Sequence, residues 1–449
     1  MRVRSAVFLL LAVFSAIEGA RAGTDECAPL IESFSSSLTL EMAEARLDTC
    51  NRDVRVARRA VEAAEADLMT AGQRANPTLA LGANNINPRV GIGSGNLRDK
   101  ALDASIRLEQ LFERGGKLGL RKRQFDSLLA ASRSDMVDIM RLQRLAIRVA
   151  FFDVAVAQER KRLTREAAAL FEQTLSAAEK RQRAGDIASA DVNRIKLDAA
   201  RADNDARQAN ADLKRLRLEL AKLIGVDRDA QNLTVKFFVP HDDSATATTF
   251  INDARFTTRS DIRAARQRVA AAEAARDLAL SSTTRDWTVG AQFDRWPTSA
   301  SNLQGTGNSF GFTMSMPLFL RHGNDGEKRR AQADFDIARD ALARQMAIAR
   351  TEAELAHEEY IAAAEKRKRV EYDILPIAQE VAKAAEFAYS KGATGVLDLL
   401  DARRSLRQVE IDAVSAQGDS ARAWARWKSV METATDSPMD IYGGNYEKQ

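Results

Sequence analysis

Residues that commonly carry out chemistry are few in this chain and poorly placed for a metal or catalytic centre. The three histidines, His241, His322 and His357, are far apart in the sequence, and two cysteines are too few for a zinc site. No serine–histidine–aspartate set, phosphate-binding loop or dinucleotide-binding glycine pattern stands out. The sequence therefore predicts no enzyme, no resident metal and no cofactor.

One acidic pair, Asp398 and Asp401, is more suggestive. Residues three apart on a helix share one face, so both carboxylates would point the same way. Such a pair is usually a solvated patch of helix surface. In a trimeric tube, each position would instead become a ring of three carboxylates, which favours cations and repels anions. The surrounding elements decide between these interpretations.

A secretory signal peptide is predicted at residues 1–22. Arg2 and Arg4 form its positive end, residues 6–17 its apolar run, and residues 20–22 an Ala-x-Ala cleavage motif. The apolar run is too short to span a bilayer, and no other apolar segment is long enough for a membrane helix. The mature chain is expected to begin at Gly23, outside the cytoplasm.

Two cysteines, Cys27 and Cys50, lie near the predicted N-terminus of the mature chain. Exported chains fold in an oxidising compartment, so a Cys27–Cys50 disulfide is predicted. Free buried thiols are the alternative. A lipid anchor on Cys27 is less favoured, because residues 24–26 are not the small, apolar lead-in of a lipoprotein signal.

The charge balance gives no indication of nucleic-acid binding. The chain has 67 basic and 63 acidic side chains, a net charge of +4, and the signal peptide accounts for +2 of it. Charged residues make up 29% of the chain and aromatic residues only 6%. This composition is typical of long helices with solvated faces.

Residues 116–226 contain no proline and predict a helix, a tight turn at Gly185 and a second helix. A helix over residues 117–184 would be about 100 Å long at 1.5 Å per residue. A coiled-coil seam is indicated by a seven-residue period at Leu142, Val149, Val156, Leu163, Leu170 and Ala177. The segment is therefore predicted to be a long helical hairpin.

This hairpin belongs to a duplicated unit. Three pairs of segments recur in order at an offset of 207 or 208 residues: 53–61 with 261–269, 111–116 with 318–323, and Gly185 with Gly392. Each unit is predicted to contain a helix, two strands and a helical hairpin. The predicted divisions are a signal peptide at 1–22, a first repeat at 23–225, an equatorial linker at 226–258, a second repeat at 259–432 and a tail at 433–449.

In the second repeat, the long helix keeps the seven-residue period but contains a proline. The period runs through Phe335, Leu342, Ala349, Ala356, Ala363, Val370, Ile377 and Ala384. Pro376 is expected to kink this helix or loosen one turn. In each repeat the two shorter helices together are about as long as the long helix. Stacked end to end beside it, they would form a layer of side-by-side helices of uniform height, here called the wall.

Alternation of apolar and polar residues marks four predicted strands, at 78–85, 104–111, 287–295 and 309–318. This pattern fits a membrane barrel strand, apolar toward lipid, and fits equally a half-buried soluble sheet. A closed membrane barrel needs about eight strands or more, so one chain could not form it alone. Three copies would supply twelve strands and stack their hairpins into one helical tube.

The tip of the second hairpin carries the most specific motif. An aromatic residue, a glycine three positions later and an Asp-x-x-Asp-Ala motif follow one another as Tyr389, Gly392 and residues 398–402. The first tip, with Gly185 and Asp191, is a degenerate version. With the duplicated layout, these motifs resemble the TolC family of outer-membrane efflux channels over essentially the whole mature chain.

A second motif, Arg-Gly-Gly-Lys-Leu-Gly-Leu-Arg at 114–121, is similar to the family branch that serves heavy-metal exporters of the cobalt–zinc–cadmium type. Leu118 stands where that branch often has a basic residue, so the resemblance is partial. It implies a passive duct that exports substrates, heavy-metal cations among them, from the periplasm to the exterior of a Gram-negative cell.

The family resemblance implies a mainly helical fold with a small β part. It implies a homotrimer in which an α-barrel in the periplasm is topped by a shared 12-stranded β-barrel in outer-membrane lipid. It also implies two partners, a periplasmic adaptor that docks at the tip turns Gly185 and Gly392, and a proton-driven inner-membrane pump of the RND type.

Roles for the tip residues are likewise implied by the resemblance. Asp398 and Asp401 match the family positions that form the periplasmic gate. Tyr389 and Asp191 match positions that hydrogen-bond between neighbouring coiled coils to hold the tip shut; the alternative is an exposed tyrosine and a helix N-cap aspartate. Thr394 stands where the family archetype has an arginine, so that lock is missing or rebuilt.

Other classes of protein remain open. A structural coiled-coil protein of the periplasm would account for the hairpins, but it has no reason for lipid-facing strands. A periplasmic adaptor also has a long hairpin, but one rather than two. A channel of the same family could instead carry drugs or secreted proteins rather than metals.

Overall fold

The computed structural model describes residues 37–84, 102–226, 230–240, 258–296 and 307–432. The predicted signal peptide, the predicted tail, Cys27 and His241 lie outside the described residues. Cys50 is disulfide-bonded. Its predicted partner, Cys27, lies outside the described residues, so the pairing of the two stays a prediction.

The described chain is mainly helical, with one small sheet. Its α-helices are α1 (Leu40–Ala45), α2 (Leu47–Cys50), α3 (Arg52–Ala71), α4 (Lys117–Arg183), α5 (Ser189–Leu223), α6 (Ser260–Ser281), α7 (Asp325–Lys368), α8 (Leu375–Ser390) and α9 (Val396–Met431). A π-helical segment, Arg369–Ile374, joins α7 to α8. Within the described ranges, no helix is both long enough and apolar enough to cross a membrane.

Both halves of the chain place their elements in the same order. The strands are β1 (Thr78–Asn84), β2 (Asp103–Phe112), β3 (Trp287–Trp296) and β4 (Gly307–Ser315). Helix α4 has 67 residues, about 100 Å at the usual rise. It packs against α3, α5, α6 and α9, and α9 packs in turn against α7 and α8. The helices therefore lie side by side as one wall.

The two larger apolar clusters of the described residues join the two halves of this wall. In the main core, Phe151 and Phe152 of α4 are fully buried, and the ring centroids of Phe152 and Trp424 lie 6.3 Å apart in an edge-on contact. A second cluster near the tips packs Ile195 of α5 against Leu400 of α9. Each cluster joins helices of the first half to helices of the second.

The buried face of α4 differs from the predicted seam. Leu142 and Ala177 are exposed, whereas Ile147, Phe151 and Val154 are fully buried. The prediction assumed one partner helix along the whole length. Because α4 contacts six described helices at different heights, its burial is not confined to a single seven-residue stripe.

The second long helix changes its buried face at the π-helical segment. Ala349 and Ala356, before the segment, are buried as predicted, but Ile377, after it, is 62% exposed and Ala382 is buried instead. A π turn holds one extra residue, so every later position is rotated relative to an unbroken α-helix. The loosened turn expected near Pro376 is confirmed, and the seven-residue seam predicted beyond it is wrong.

The four strands form one antiparallel sheet in the order β1–β2–β3–β4. One row across it joins Leu79, Leu108, Ala291 and Phe312, so one face is apolar, and that face is exposed. On the other face, Arg107 Nε donates to Gln292 Oε1 at 2.8 Å. The predicted alternation is confirmed. Strands β1 and β4 each have an edge that pairs with no other described strand.

A buried ion pair fixes the start of α6 against α7. The side chain of Arg259 is 2% exposed, and its Nη2 lies 2.6 Å from Asp261 Oδ2 and 2.8 Å from Glu352 Oε2. Burial by itself would raise the pKa of the Asp261 carboxyl, but the hydrogen bonds and charge of Arg259 hold this pKa below its ordinary value. The pair therefore depends on both partners.

Replacing Arg259 by leucine should destabilise the fold strongly, because Asp261 would be left as a buried, unpaired charge. The expected loss is about 3–5 kcal/mol of unfolding free energy, measured by denaturant titration of the purified protein in detergent. Arg207→Leu is the matched control, since Arg207 is 80% exposed in its pair with Asp203, and it should cost at most about 1 kcal/mol.

The same comparison has a pH signature. The depressed pKa of Asp261 stabilises the native state above the ordinary aspartate pKa, and this stabilisation is lost as the pH falls through the lower, folded-state value. The gap between wild type and Arg259→Leu should therefore be widest near neutral pH and should shrink as the pH falls, first through the pKa of the variant's Asp261, which burial without Arg259 raises, and further in strong acid through the lower wild-type pKa. Equal stability of both proteins at pH 7 would contradict the role assigned to the pair.

Candidate functional site

Both hairpins end in the same kind of glycine turn. Gly185 and Gly392 have φ angles of 85° and 72°, in the left-handed region that favours glycine. In each tip a backbone N–H reaches back to a carbonyl five residues earlier, Asp186 to Arg181 at 2.9 Å and Ala393 to Ala388 at 2.9 Å. This hydrogen bonding closes the end of the preceding helix and turns the chain back.

The predicted gate residues lie in the first two turns of α9. Asp398 Oδ2 accepts a hydrogen bond from the backbone N–H of Gly395 at 3.3 Å, and so caps the start of the helix. Asp401, one turn on, is 72% exposed and accepts from Arg404 Nη1 at 3.3 Å. Both carboxylates remain close to the tip and available to solvent.

Arg404 also connects the two hairpins. Its Nη2 donates to Asp198 Oδ2 of α5 at 2.6 Å, while its Nη1 contacts Asp401. Three residues further on, Arg407 Nη1 lies 3.6 Å from Glu166 Oε2 of α4. These pairs, here called the hairpin tie, hold α9 beside the first hairpin just above the predicted gate.

The predicted latch residues, Tyr389 and Asp191, are not brought together within one chain. The Tyr389 hydroxyl accepts a hydrogen bond from Arg181 Nη1 at 3.2 Å, in the last turn of α4. Asp191 lies in the first turn of α5. Since a phenol can accept and donate at once, the Tyr389 proton stays available for a second partner.

Thr394, at the position where the resemblance led us to expect an arginine, has a buried Oγ1 with no hydrogen-bond partner among the described residues. The structure supplies cations at other positions, Arg181 and Arg404. Sequence reasoning missed both. Only the spacing of Arg404, three residues after Asp401, could have suggested it.

A groove of about 320 Å³ lies where α4, α5 and α9 converge above the tips. Phe171, Ala202 and Ile411 form its apolar part, and the hairpin tie lies along its polar side. The groove is therefore bounded by both hairpins and would change shape if they moved apart.

Residues 114–121 form the turn from β2 into α4. Gly115 and Gly116 both have a φ of 70°, which lets the chain reverse there. Lys117 Nζ lies 2.7 Å from Asp286 Oδ2, and Arg121 pairs with Glu113 at 2.9 Å. The charged groups of the motif thus fasten the sheet to the wall. Across the described part of the chain, no cluster of three histidine, cysteine or acidic side chains is placed to hold a metal ion.

The fold is similar to several solved outer-membrane channels. The outer membrane protein VceC from Vibrio cholerae shares 18% identity at a TM-score of 0.72, covering 88% of this chain and 96% of that chain. The Campylobacter jejuni CmeC outer membrane channel shares 14% at 0.74, covering 87% and 85%. The open state of the Neisseria gonorrhoeae MtrE outer membrane channel shares 19% at 0.66, covering 87% and 88%.

No curated protein matches this sequence. The family model described as outer membrane efflux protein, in contrast, matches residues 45–226 and 256–431, which include both hairpins and all four strands. On this match, the chain belongs to the outer membrane efflux protein family.

Proposed function

We propose that three copies of this chain form a passive efflux duct through the outer membrane of a Gram-negative cell, with a helical barrel in the periplasm. The sheet carries the proposal, because its exposed face is apolar and both of its edges are unpaired within the described chain. In lipid, unpaired edges must be closed, and four strands are too few to close on themselves. Three sheets joined edge to edge would give twelve strands.

Members of this family are passive channels, so the chain is not an enzyme. A duct needs no tight ligand site, since tight binding would slow passage. A duct does need a controlled opening, and we place this opening at the acidic first turns of α9. In the trimer, Asp398 and Asp401 would each form a ring of three carboxylates.

Two further proteins would complete the export system. We assign the tip turns at Gly185 and Gly392 to docking of a periplasmic adaptor, which would connect the duct to an inner-membrane RND pump. The groove between the hairpins supports this assignment, because it offers apolar and charged groups next to both tips. Energy and choice of cargo would come from the pump.

We propose heavy-metal cations such as cobalt, zinc and cadmium as cargo. Support comes from the motif at 114–121 and from the acidic gate, which would attract cations. In the structure, the motif forms the turn between the sheet and the wall. The acidic gate is therefore the stronger support for metal cations as cargo. The conductance experiment below uses cadmium and zinc for this reason.

A lysine should destabilise the protein in the membrane on one face of the sheet and be tolerated on the other. Phe312→Lys should cost about 2–4 kcal/mol of membrane stability near the bilayer midplane, since Phe312 is on the apolar, exposed face. Thr313→Lys, one residue on and on the polar face, should be tolerated. Outer-membrane fractionation, with mass photometry of the detergent-extracted protein, measures insertion and assembly.

For wild type and Thr313→Lys we expect a particle of three chains in the outer-membrane fraction. A single-chain particle for the wild type, or equal behaviour of the two lysine variants, would contradict the trimeric duct.

Removing the gate carboxylates should increase the current that a single channel carries. Asp398→Ala with Asp401→Ala is expected to raise single-channel conductance in planar bilayers and to weaken block by cadmium and zinc, because two rings of negative charge are lost. The control is Asp203→Ala with Glu219→Ala, two exposed acids further along α5. Unchanged conductance and unchanged cation block in the tip variant would refute the gate.

Breaking the hairpin tie should raise the fraction of time that the channel is open. Arg404→Gln removes an exposed pair worth at most about 1 kcal/mol, so the open-to-closed ratio should rise by up to about fivefold. Asp198→Asn should have the same effect, and the double variant Asp198→Asn with Arg404→Gln should raise the ratio no further than either single variant. A double variant whose effect is the sum of the two single effects would show that the pair does not hold the tip.

A further inference from the structure

We propose that the end of the sheet that joins the helices binds the phosphate groups of anionic phospholipids, an inference that rests on the proposed outer-membrane function. This region, called the junction, consists of residues 72–78, 112–123, 281–287 and 316–330. These four segments connect α3 to β1, β2 to α4, α6 to β3, and β4 to α7. They therefore share one level, between the exposed sheet and the wall.

The junction concentrates positive charge. Its four segments hold eleven basic and four acidic side chains, a net charge of +7, whereas the whole chain carries only +4. The remaining residues together are therefore net negative, at −3. In a trimer the junctions would form a ring of +21 at the foot of the sheet.

Most of this charge is not neutralised within the chain. Three of the four acids are already paired, Glu113 with Arg121, Asp286 with Lys117 and Asp325 with Lys328. Six exposed cations of the junction have no ion pair in the described part of the chain: Arg74, Lys122, Arg123, Arg285, Arg321 and Arg329. Exposed cations at one level attract an anionic surface.

Apolar groups beside these cations indicate a lipid rather than a soluble anion. The guanidinium of Arg114 lies over the ring of Trp287, 4.1 Å from its centroid, on the apolar face of the sheet. Leu318 and Leu320, directly before Arg321, are 63% and 84% exposed. Aromatic and aliphatic side chains next to unpaired cations fit the boundary between acyl chains and phosphate headgroups.

The opposite end of the sheet lacks this charge. The described residues that end the strands there, at 84, 102–103, 294–296 and 307–308, hold one basic and two acidic side chains. Their net charge is −1. The attraction is therefore directional: it acts on the headgroups of the leaflet on the helical side, and it would fix the height of the sheet in the bilayer.

Native mass spectrometry of the intact assembly, titrated with phosphatidylglycerol or phosphatidylcholine, tests this inference. The wild type should bind phosphatidylglycerol about tenfold more tightly or better, and added salt should reduce the difference. The junction variant, Arg114→Gln with Arg285→Gln and Arg321→Gln, should lose this preference. The charge-matched control, Arg165→Gln with Lys196→Gln and Lys214→Gln, places the same loss on exposed helix positions and should keep it.

Competitors identify the source of the phosphate. Glycerol 3-phosphate and polyglutamate should displace phosphatidylglycerol poorly, because neither offers acyl chains. Displacement by either at concentrations similar to the lipid, or equal lipid preference in the junction and control variants, would overturn the inference. The spectra also count the chains: a wild type that is not trimeric contradicts the proposed function, whereas a trimer without lipid preference contradicts only the junction site.

Discussion

Backbone hydrogen bonding at the two open edges of the sheet is the constraint on which the rest of the structure depends. Strands β1 and β4 each present an edge that no described strand covers. Water could satisfy such an edge, but the exposed rows around Phe310 and Phe312 are suited to lipid, where no water is available. In the proposed trimer, other copies cover these edges, and the helical wall below would close with the same symmetry.

Local chemistry explains why the strands and tips could be predicted from the sequence. A period of two residues gave the four strands and their apolar face, and the paired register of β3 with β4 keeps that face intact. Helix-ending turns were predicted at Gly185 and Gly392 because such turns often require a left-handed residue. Both glycines adopt that conformation. Both signals lie within a few consecutive residues.

Periodicity over longer distances was a poorer guide. The seven-residue pattern in the second long helix assumes a constant number of residues per turn, and the π-helical segment before Pro376 adds one. The contact between Arg404 and Asp198 had no local sequence signal, because these residues lie 206 positions apart. Pairs of this kind depend on how helices pack, which no local pattern records.

Two interactions of unequal strength join the two hairpins near the tip. The hairpin tie is partly exposed, so each of its pairs contributes at most about 1 kcal/mol. In contrast, Leu400 and Ile195 are almost fully buried between the hairpins, and burying such side chains is worth about 1.5–3 kcal/mol each. Separating the hairpins of one chain would expose both residues to water. In the proposed duct, opening would therefore cost least as a small movement that breaks the charged pairs of the hairpin tie and leaves Leu400 packed near Ile195, so the tie sets the balance between closed and open tips.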